Sequence, residues 1–170
     1  MGDVFRNKKF GKFICEKYPK EMHPSVFVVA DGNFELSKIL NTYGYDVTAF
    51  EPKPRRKNMS IRFKREVKIR RMFFERSMKM PEPHLIVGMH PDEATVEILL
   101  YAAQRKIPYA VVPCCVKGDR RYTATVKNYK HWLDVLKRIV QETVGEHKLN
   151  INGKNIILYD VKHAKGDLND

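Results

Sequence analysis

Four short apolar runs punctuate the chain: Ser25-Val-Phe-Val-Val-Ala30, Tyr45-Asp-Val-Thr-Ala-Phe50, Leu85-Ile-Val-Gly-Met89 and Tyr109-Ala-Val-Val112. Runs of this length with little polar alternation predict strands buried on both faces. Helical spacing fills the gaps between them. Leu36, Ile39, Leu40 and Tyr43 share one face after the first run, with Gly44 placed to end that helix. Ala94, Ile98, Leu99, Ala102 and Ala103 do so after the third, with Asp92 as the expected N-cap and Glu93 at the positive end of the helix dipole. A leading helix is expected over 6–18, with Phe10, Phe13, Ile14 and Tyr18 inward. Another is expected over 127–144, with Trp132, Leu133, Leu136, Ile139 and Val140 inward and Gly145 ending it. Segments 148–151 and 155–159, joined through Asn152-Gly153, predict a closing β-hairpin. A strand, a helix and a strand within about thirty residues make a right-handed crossover between parallel strands. The pattern therefore predicts an α/β fold with a mostly parallel sheet and a C-terminal antiparallel hairpin.

The 170 residues suit one domain over 1–170, large enough to bury a core without disulfides or metals. Within it, 1–20 holds the leading helix, 52–79 forms a basic insert and 164–170 is expected to fray. No basic start is followed by an apolar block, and no apolar run approaches the ~20 residues that span a bilayer, so a soluble, cytoplasmic protein without membrane contact is expected. Cys15, Cys114 and Cys115 make an odd count with no framework spacing, and the adjacent pair lacks the Cys-x2-Cys pattern and the histidines of a zinc site. Neither disulfides nor a metal is expected.

Charge changes the picture. The net charge is +12, and the 52–79 segment alone carries twelve Lys or Arg against Glu66 and Glu75. Seven of the twelve are Arg, which suits bidentate phosphate contacts. Nucleic acid, RNA in the first place, is the expected partner, contacted through Arg55, Arg56, Lys57, Arg62, Lys64, Arg65, Arg70 and Arg71, with Arg120 and Arg121 adding charge after the fourth apolar run. In 67–74, Val67, Ile69 and the Met72-Phe73-Phe74 cluster suggest a further strand with basic residues between.

Open parallel sheets bind ligands beyond the carboxyl ends of their strands, which directs attention to three turns. Ala30-Asp31-Gly32-Asn33 joins the first strand to its helix, the arrangement of a nucleotide cradle. Glu51 stands at the tip of the second strand, about twenty positions on, where an acid can accept hydrogen bonds from ribose hydroxyls. Met89-His90-Pro-Asp92 follows the third strand and faces Cys114-Cys115 after the fourth. His90 and Asp92 are candidates to orient an acceptor or take its proton. Cys114 is a candidate nucleophile, while Cys115 is expected on the opposite face of a continuing strand. The single glycine of the first turn also admits another nucleotide or an acidic metabolite.

The element order resembles the Rossmann-like fold of S-adenosylmethionine-dependent methyltransferases, a three-layer sandwich ending in an antiparallel strand pair. More narrowly, Val26-Phe-Val-Val-Ala-Asp-Gly-Asn-Phe-Glu-Leu-Ser37, Phe50-Glu-Pro-Lys-Pro-Arg55 and His90-Pro-Asp-Glu-Ala-Thr95…Val112-Pro-Cys-Cys-Val116 resemble a little-characterised branch of methyltransferase-like proteins. The resemblance implies an S-adenosylmethionine site at Ala30, Asp31, Gly32, Asn33, Glu51 and Met89, and methyl transfer to RNA. Its members read Asp-Val-Ala-Gly-Gly-Lys-Gly-Glu-Leu-Ser at the first place, where this chain carries Val28, Asp31 and Phe34 instead of an acid and two glycines. Phe34 is expected to intrude on the space of the methionine moiety. The alternative implied by these departures is a non-catalytic nucleic-acid-binding protein on a degenerate methyltransferase-like fold.

Overall fold

The computed structural model describes residues 4–55, 60–141 and 144–166. Its strands are β1 (Ser25–Val29), β2 (Asp46–Phe50), β3 (Lys68–Arg70), β4 (Leu85–Met89), β5 (Tyr109–Val112), β6 (Val144–Lys148) and β7 (Ile156–Asp160). Its helices are α1 (Arg6–Lys17), α2 (Glu35–Thr42), α3 (Ile61–Glu66), α4 (Ala94–Arg105), α5 (Arg120–Thr123) and α6 (Tyr129–Val140). One sheet runs in the order β3-β2-β1-β4-β5-β7-β6, parallel from β3 to β5, with β7 antiparallel to both neighbours. The mostly parallel sheet with its antiparallel end is the one the apolar pattern predicts.

Alternation along the strands divides the core in two. Val26, Val28, Val47, Ala49, Leu85, Val87, Ala110 and Val112 face α1, α2 and Phe63 of α3. Phe27, Val29, Phe50, Ile86, Val111 and Leu158 face α4 and α6. Both faces of β1, β4 and β5 are covered, which is why their sequences read as unbroken apolar runs. Gly44 closes α2 as the pattern requires. At φ +92 it lets its own N–H reach the Asn41 carbonyl and the Tyr45 N–H reach that of Leu40, a Schellman end.

Four sequence expectations are corrected. First, α6 stops at Val140, with Gln141 left-handed, and Gly145 lies inside β6, where a Cβ would sit 2.3 Å from the Tyr159 ring. The glycine serves close packing instead of helix termination. Second, the hairpin pairs β6 with β7 over 144–148 and 156–160, so its connection is 149–155 and not the Asn152-Gly153 pair alone. Third, the expected strand over 67–74 is only Lys68–Arg70 preceded by a short helix, and Phe74 packs on Phe50 and Tyr101 beneath α4 while Phe73 stays exposed. Fourth, the tail expected to fray from Ala164 is docked at its first two residues. Ala164 is buried and the Lys165 N–H donates to the Lys17 carbonyl at 2.7 Å, while 167–170 lie outside the described residues. Among the described residues no helix is long and apolar enough to cross a membrane.

Candidate functional site

The strand order reverses between β1 and β4, and the crevice at their carboxyl ends holds a cavity of about 690 Å³. That volume is in the range of small-ligand sites. Ala30, Asp31, Gly32, Asn33, Glu51 and Met89 all line it, as do His90 and Asp92, so the three turns singled out in the sequence converge on one space. Cys114 does not line it but touches a residue that does.

The first turn is built on an unusual backbone. Ala30 at φ +58 and Phe34 at φ +56 are both left-handed, and the Phe34 N–H bonds the Asp31 carbonyl. The Asp31 side chain then turns back on α2, accepting from the N–H of Leu36 at 3.4 Å, the N–H of Ser37 at 2.7 Å and the Ser37 hydroxyl at 2.7 Å. Burial pushes its carboxyl above the usual carboxylate range, and the Ser37 and Leu36 hydrogen bonds work against that shift. A buried acid thus occupies the end of α2 where a phosphate would otherwise bind. Phe34 is 2% exposed and packs 6.0 Å from Phe63 on the α1–α2 side of the sheet, outside the cavity lining. The expectation that its ring fills ligand space is therefore overturned: the left-handed backbone aims the side chain into the core.

Glu51 is 8% exposed at the tip of β2, where Oε1 accepts the Lys53 N–H at 2.8 Å. A carboxylate has about four acceptor positions. One is used for this turn, and the cavity borders the group.

His90 is clasped from two sides. Its Nε2 lies 2.8 Å from the Lys154 carbonyl, which can only accept, so Nε2 carries the proton and Nδ1 is left to accept from the Arg6 guanidinium at 3.3 Å. Burial, together with Arg6, lowers its pKa. The imidazole is held neutral with both nitrogens engaged, which suits a cavity wall better than a proton carrier.

Asp92 does not cap α4. The residue before the helix is Glu93, and Asp92, left-handed at φ +47, directs its carboxylate at Cys114, whose Sγ–H donates to Oδ1 at 2.9 Å. Burial first, and then this hydrogen bond, push the Cys114 thiol up to about 12. A protonated thiol is a poor nucleophile at neutral pH. Cys115 does not point away as expected. β5 has ended at Val112, and the bend after Pro113 brings both sulfurs to the same side as Asp92.

The basic residues fall in two groups. Arg70 ends β3, and Arg55, Arg71, Arg120 and Arg121 come after the carboxyl ends of β2, β3 and β5, the end of the parallel strands at which the cavity opens; of these only Arg55 lines it, lying across Gly32 with its Nε 3.5 Å from where a Cβ would be. Arg62, Lys64 and Arg65 project from α3. Arg62 pairs with Glu66 and Arg121 with Asp119. Arg56 and Lys57 lie outside the described residues.

Other wall residues were not placed at this site by the sequence. Arg6 and Asn7 reach in from α1, Asn7 donating to Glu35 at 2.7 Å, and Phe73, 61% exposed, stands at the mouth. Only the docking of α1 and of the segment after β3 reveals them. In sum, Asp31, Glu35, Glu51, Asp92, Glu93 and Glu97 outnumber Arg6, Lys53, Arg55 and Lys117 around this cavity. Glu97 is paired with Arg76 at 2.8 Å and burial raises the Asp31 carboxyl, so the four remaining acids of the wall stand against four basic side chains.

No known family profile matches the sequence, and no curated protein matches it in sequence. Solved structures are similar in fold. A mitomycin 7-O-methyltransferase superposes with a TM-score of 0.62 at 12% identity, over 90% of this chain and 52% of that one. Human N-acetylserotonin methyltransferase in complex with S-adenosylmethionine gives 0.58 at 12%, over 92% and 51%. A TehB-like S-adenosylmethionine-dependent methyltransferase from Corynebacterium glutamicum gives 0.53 at 12%, over 92% and 86%. This chain spans about half the length of the first two. At this identity the likeness is one of fold, and the chain has the Rossmann-like fold of S-adenosylmethionine-dependent methyltransferases.

Proposed function

We propose that this chain binds S-adenosylmethionine in the switch-point cavity and transfers its methyl group to RNA. The observation that carries the cofactor half is the buried Glu51 at the β2 tip, which borders the cavity and spends one acceptor position on the Lys53 N–H. Phosphate-bearing nucleotides are disfavoured there, because Asp31 already takes the α2 N-terminus and Glu35 and Glu51 add negative charge. A ligand with ribose hydroxyls and a cationic centre fits the same wall. When bound, the cofactor supplies an electrophilic methyl on a sulfonium. Glu51 orients the ribose through its remaining acceptor positions, Met89 and neutral His90 close the wall beyond β4, and Phe73 offers an aromatic face at the mouth. Methyl transfer then depends on holding the acceptor in line, which is positioning more than acid–base work.

Support for an RNA acceptor comes from charge placement. Arg55, Arg70, Arg71 and Arg120 are exposed and come at the end of the parallel strands at which the cavity opens, so a polyanion drawn to them is led to the methyl donor.

Calorimetric titration with S-adenosylmethionine and S-adenosylhomocysteine tests the first half. Binding in the micromolar range is expected, and Glu51→Ala should weaken it at least tenfold, since one hydrogen bond to a charged group contributes about 1.5–3 kcal/mol. Absence of heat at millimolar ligand would end the cofactor reading. For the acceptor, transfer of labelled methyl to total RNA is expected, with RNA affinity falling steeply as salt rises. Salt-independent binding, or label found only on protein, would remove RNA.

A further inference from the structure

Three metal-ligating side chains converge where the loop after β5 meets the β4–α4 turn. One carboxylate oxygen of Asp92 and the sulfurs of Cys114 and Cys115 all lie within 4.8 Å of one another. Zinc with sulfur ligands ~2.3 Å and oxygen ~2.0–2.2 Å away holds tetrahedral ligand atoms roughly 3.5–3.8 Å apart. The cluster therefore needs only a small contraction, within reach of side-chain rotation. The backbone around it is fixed from two directions. The Tyr129 hydroxyl donates to the Pro113 carbonyl at 2.9 Å, and Gly118, at φ +101, presses the loop onto Glu93, where a Cβ would come within 2.8 Å of the carbonyl oxygen. Ligands held by anchored backbone on two elements are the condition for a defined metal geometry.

We propose that Asp92, Cys114 and Cys115 form a binding site for a thiophilic divalent cation, zinc in the first place. Binding forms two metal–sulfur bonds and one metal–oxygen bond. The two thiol protons pass to solvent, and no oxidant or reductant takes part. Mixed sulfur and oxygen donors of this kind disfavour magnesium and calcium, which take all-oxygen shells. Three protein ligands leave a fourth tetrahedral position for water or a substrate heteroatom, the pattern of a catalytic zinc more than of a structural one. Asp92 also lines the switch-point cavity, so the ion would stand at its wall. The adjacent cysteines alone do not announce such a site, since the third ligand lies 22 positions earlier in the chain.

The site stands independently of the cofactor reading, and its test uses neither cofactor nor RNA. Reduced, untagged protein stripped with a chelator is titrated with cobalt(II) and then with zinc in competition with a chromophoric chelator. One equivalent per chain is expected, with thiolate-to-cobalt charge-transfer absorption and the intense visible bands of tetrahedral cobalt. Cys115→Ser, at an exposed position that does not threaten folding, and Asp92→Asn should each weaken zinc more than about a hundredfold, beyond the usual cost of losing an outer-shell partner. Cys15→Ser should leave the titration unchanged. The proposal is overturned if the wild type shows no thiolate-to-cobalt band, or if Cys115→Ser and Asp92→Asn, with native circular dichroism, keep stoichiometry and affinity.

Discussion

Substitution of Phe34 pits two effects of opposite sign against each other at one residue. The side chain is 2% exposed, and truncating a buried Phe to Ala costs about 3–5 kcal/mol. Its backbone sits at φ +56, where any Cβ costs about 1–2 kcal/mol relative to Gly. Glycine also suits the position before α2 better than alanine does, while its greater freedom in the unfolded chain returns about 0.5–1 kcal/mol. Phe34→Ala should therefore lose about 3–5 kcal/mol, and Phe34→Gly roughly 1 kcal/mol less, reversing the usual order of the two residues beside a helix. Equilibrium urea unfolding followed by circular dichroism reads both. Because the ring points away from the cavity, S-adenosylmethionine affinity should be the same for Phe34→Gly and wild type under conditions where both are folded. An alanine variant at least as stable as the glycine variant would refute the left-handed assignment. Tenfold tighter cofactor binding by Phe34→Gly would refute the placement of the ring.

Two further outcomes follow from packing and burial. The carboxyl of Asp31 is raised by burial above its value in the unfolded chain, so the native state binds the extra proton and stability falls as pH rises from the unfolded Asp value through the folded one. The unfolding midpoint of wild type relative to Asp31→Asn should accordingly decline as pH rises above the unfolded Asp value, and a rising difference would show that the Ser37 and Leu36 hydrogen bonds outweigh burial. At Gly145 a methyl group meets the Tyr159 ring at 2.3 Å, so Gly145→Ala should cost about 1–3 kcal/mol as an overpacked contact, read as a lowered melting temperature. An unchanged melting temperature would mean that β6 shifts freely at the sheet edge.

The central strands were legible because both their faces are covered: β1, β4 and β5 have no solvent side to show as alternation. Glu51 was legible for a related reason, as an acid at the end of such a run with Pro52 behind it. β6 was not, because Val-Gly-Glu-His-Lys is an edge strand with no buried residue, and the helical spacing before it runs on into Val144. The face that Phe34 takes was hidden as well. The pattern of apolar residues does not report a positive φ at a residue with a Cβ, such as Phe34 at φ +56. The Asp92–Cys114 contact shares this cause, since a left-handed Asp92 turns its carboxylate away from the helix it would otherwise cap.

Ala30, Phe34, His90 and Asp92 together hold left-handed backbone at φ between 47 and 58, and all four stand in the two turns that frame the cavity. A glycine-rich turn reaches such conformations at no steric cost and wanders among others until a ligand arrives. Here each Cβ removes most of the neighbouring alternatives, and the Asp31 bonds to α2 and the His90 clasp hold what remains. Little backbone freedom is left for a ligand to freeze, so the cavity is shaped before it is filled, and its occupant enters a mould instead of closing a hand.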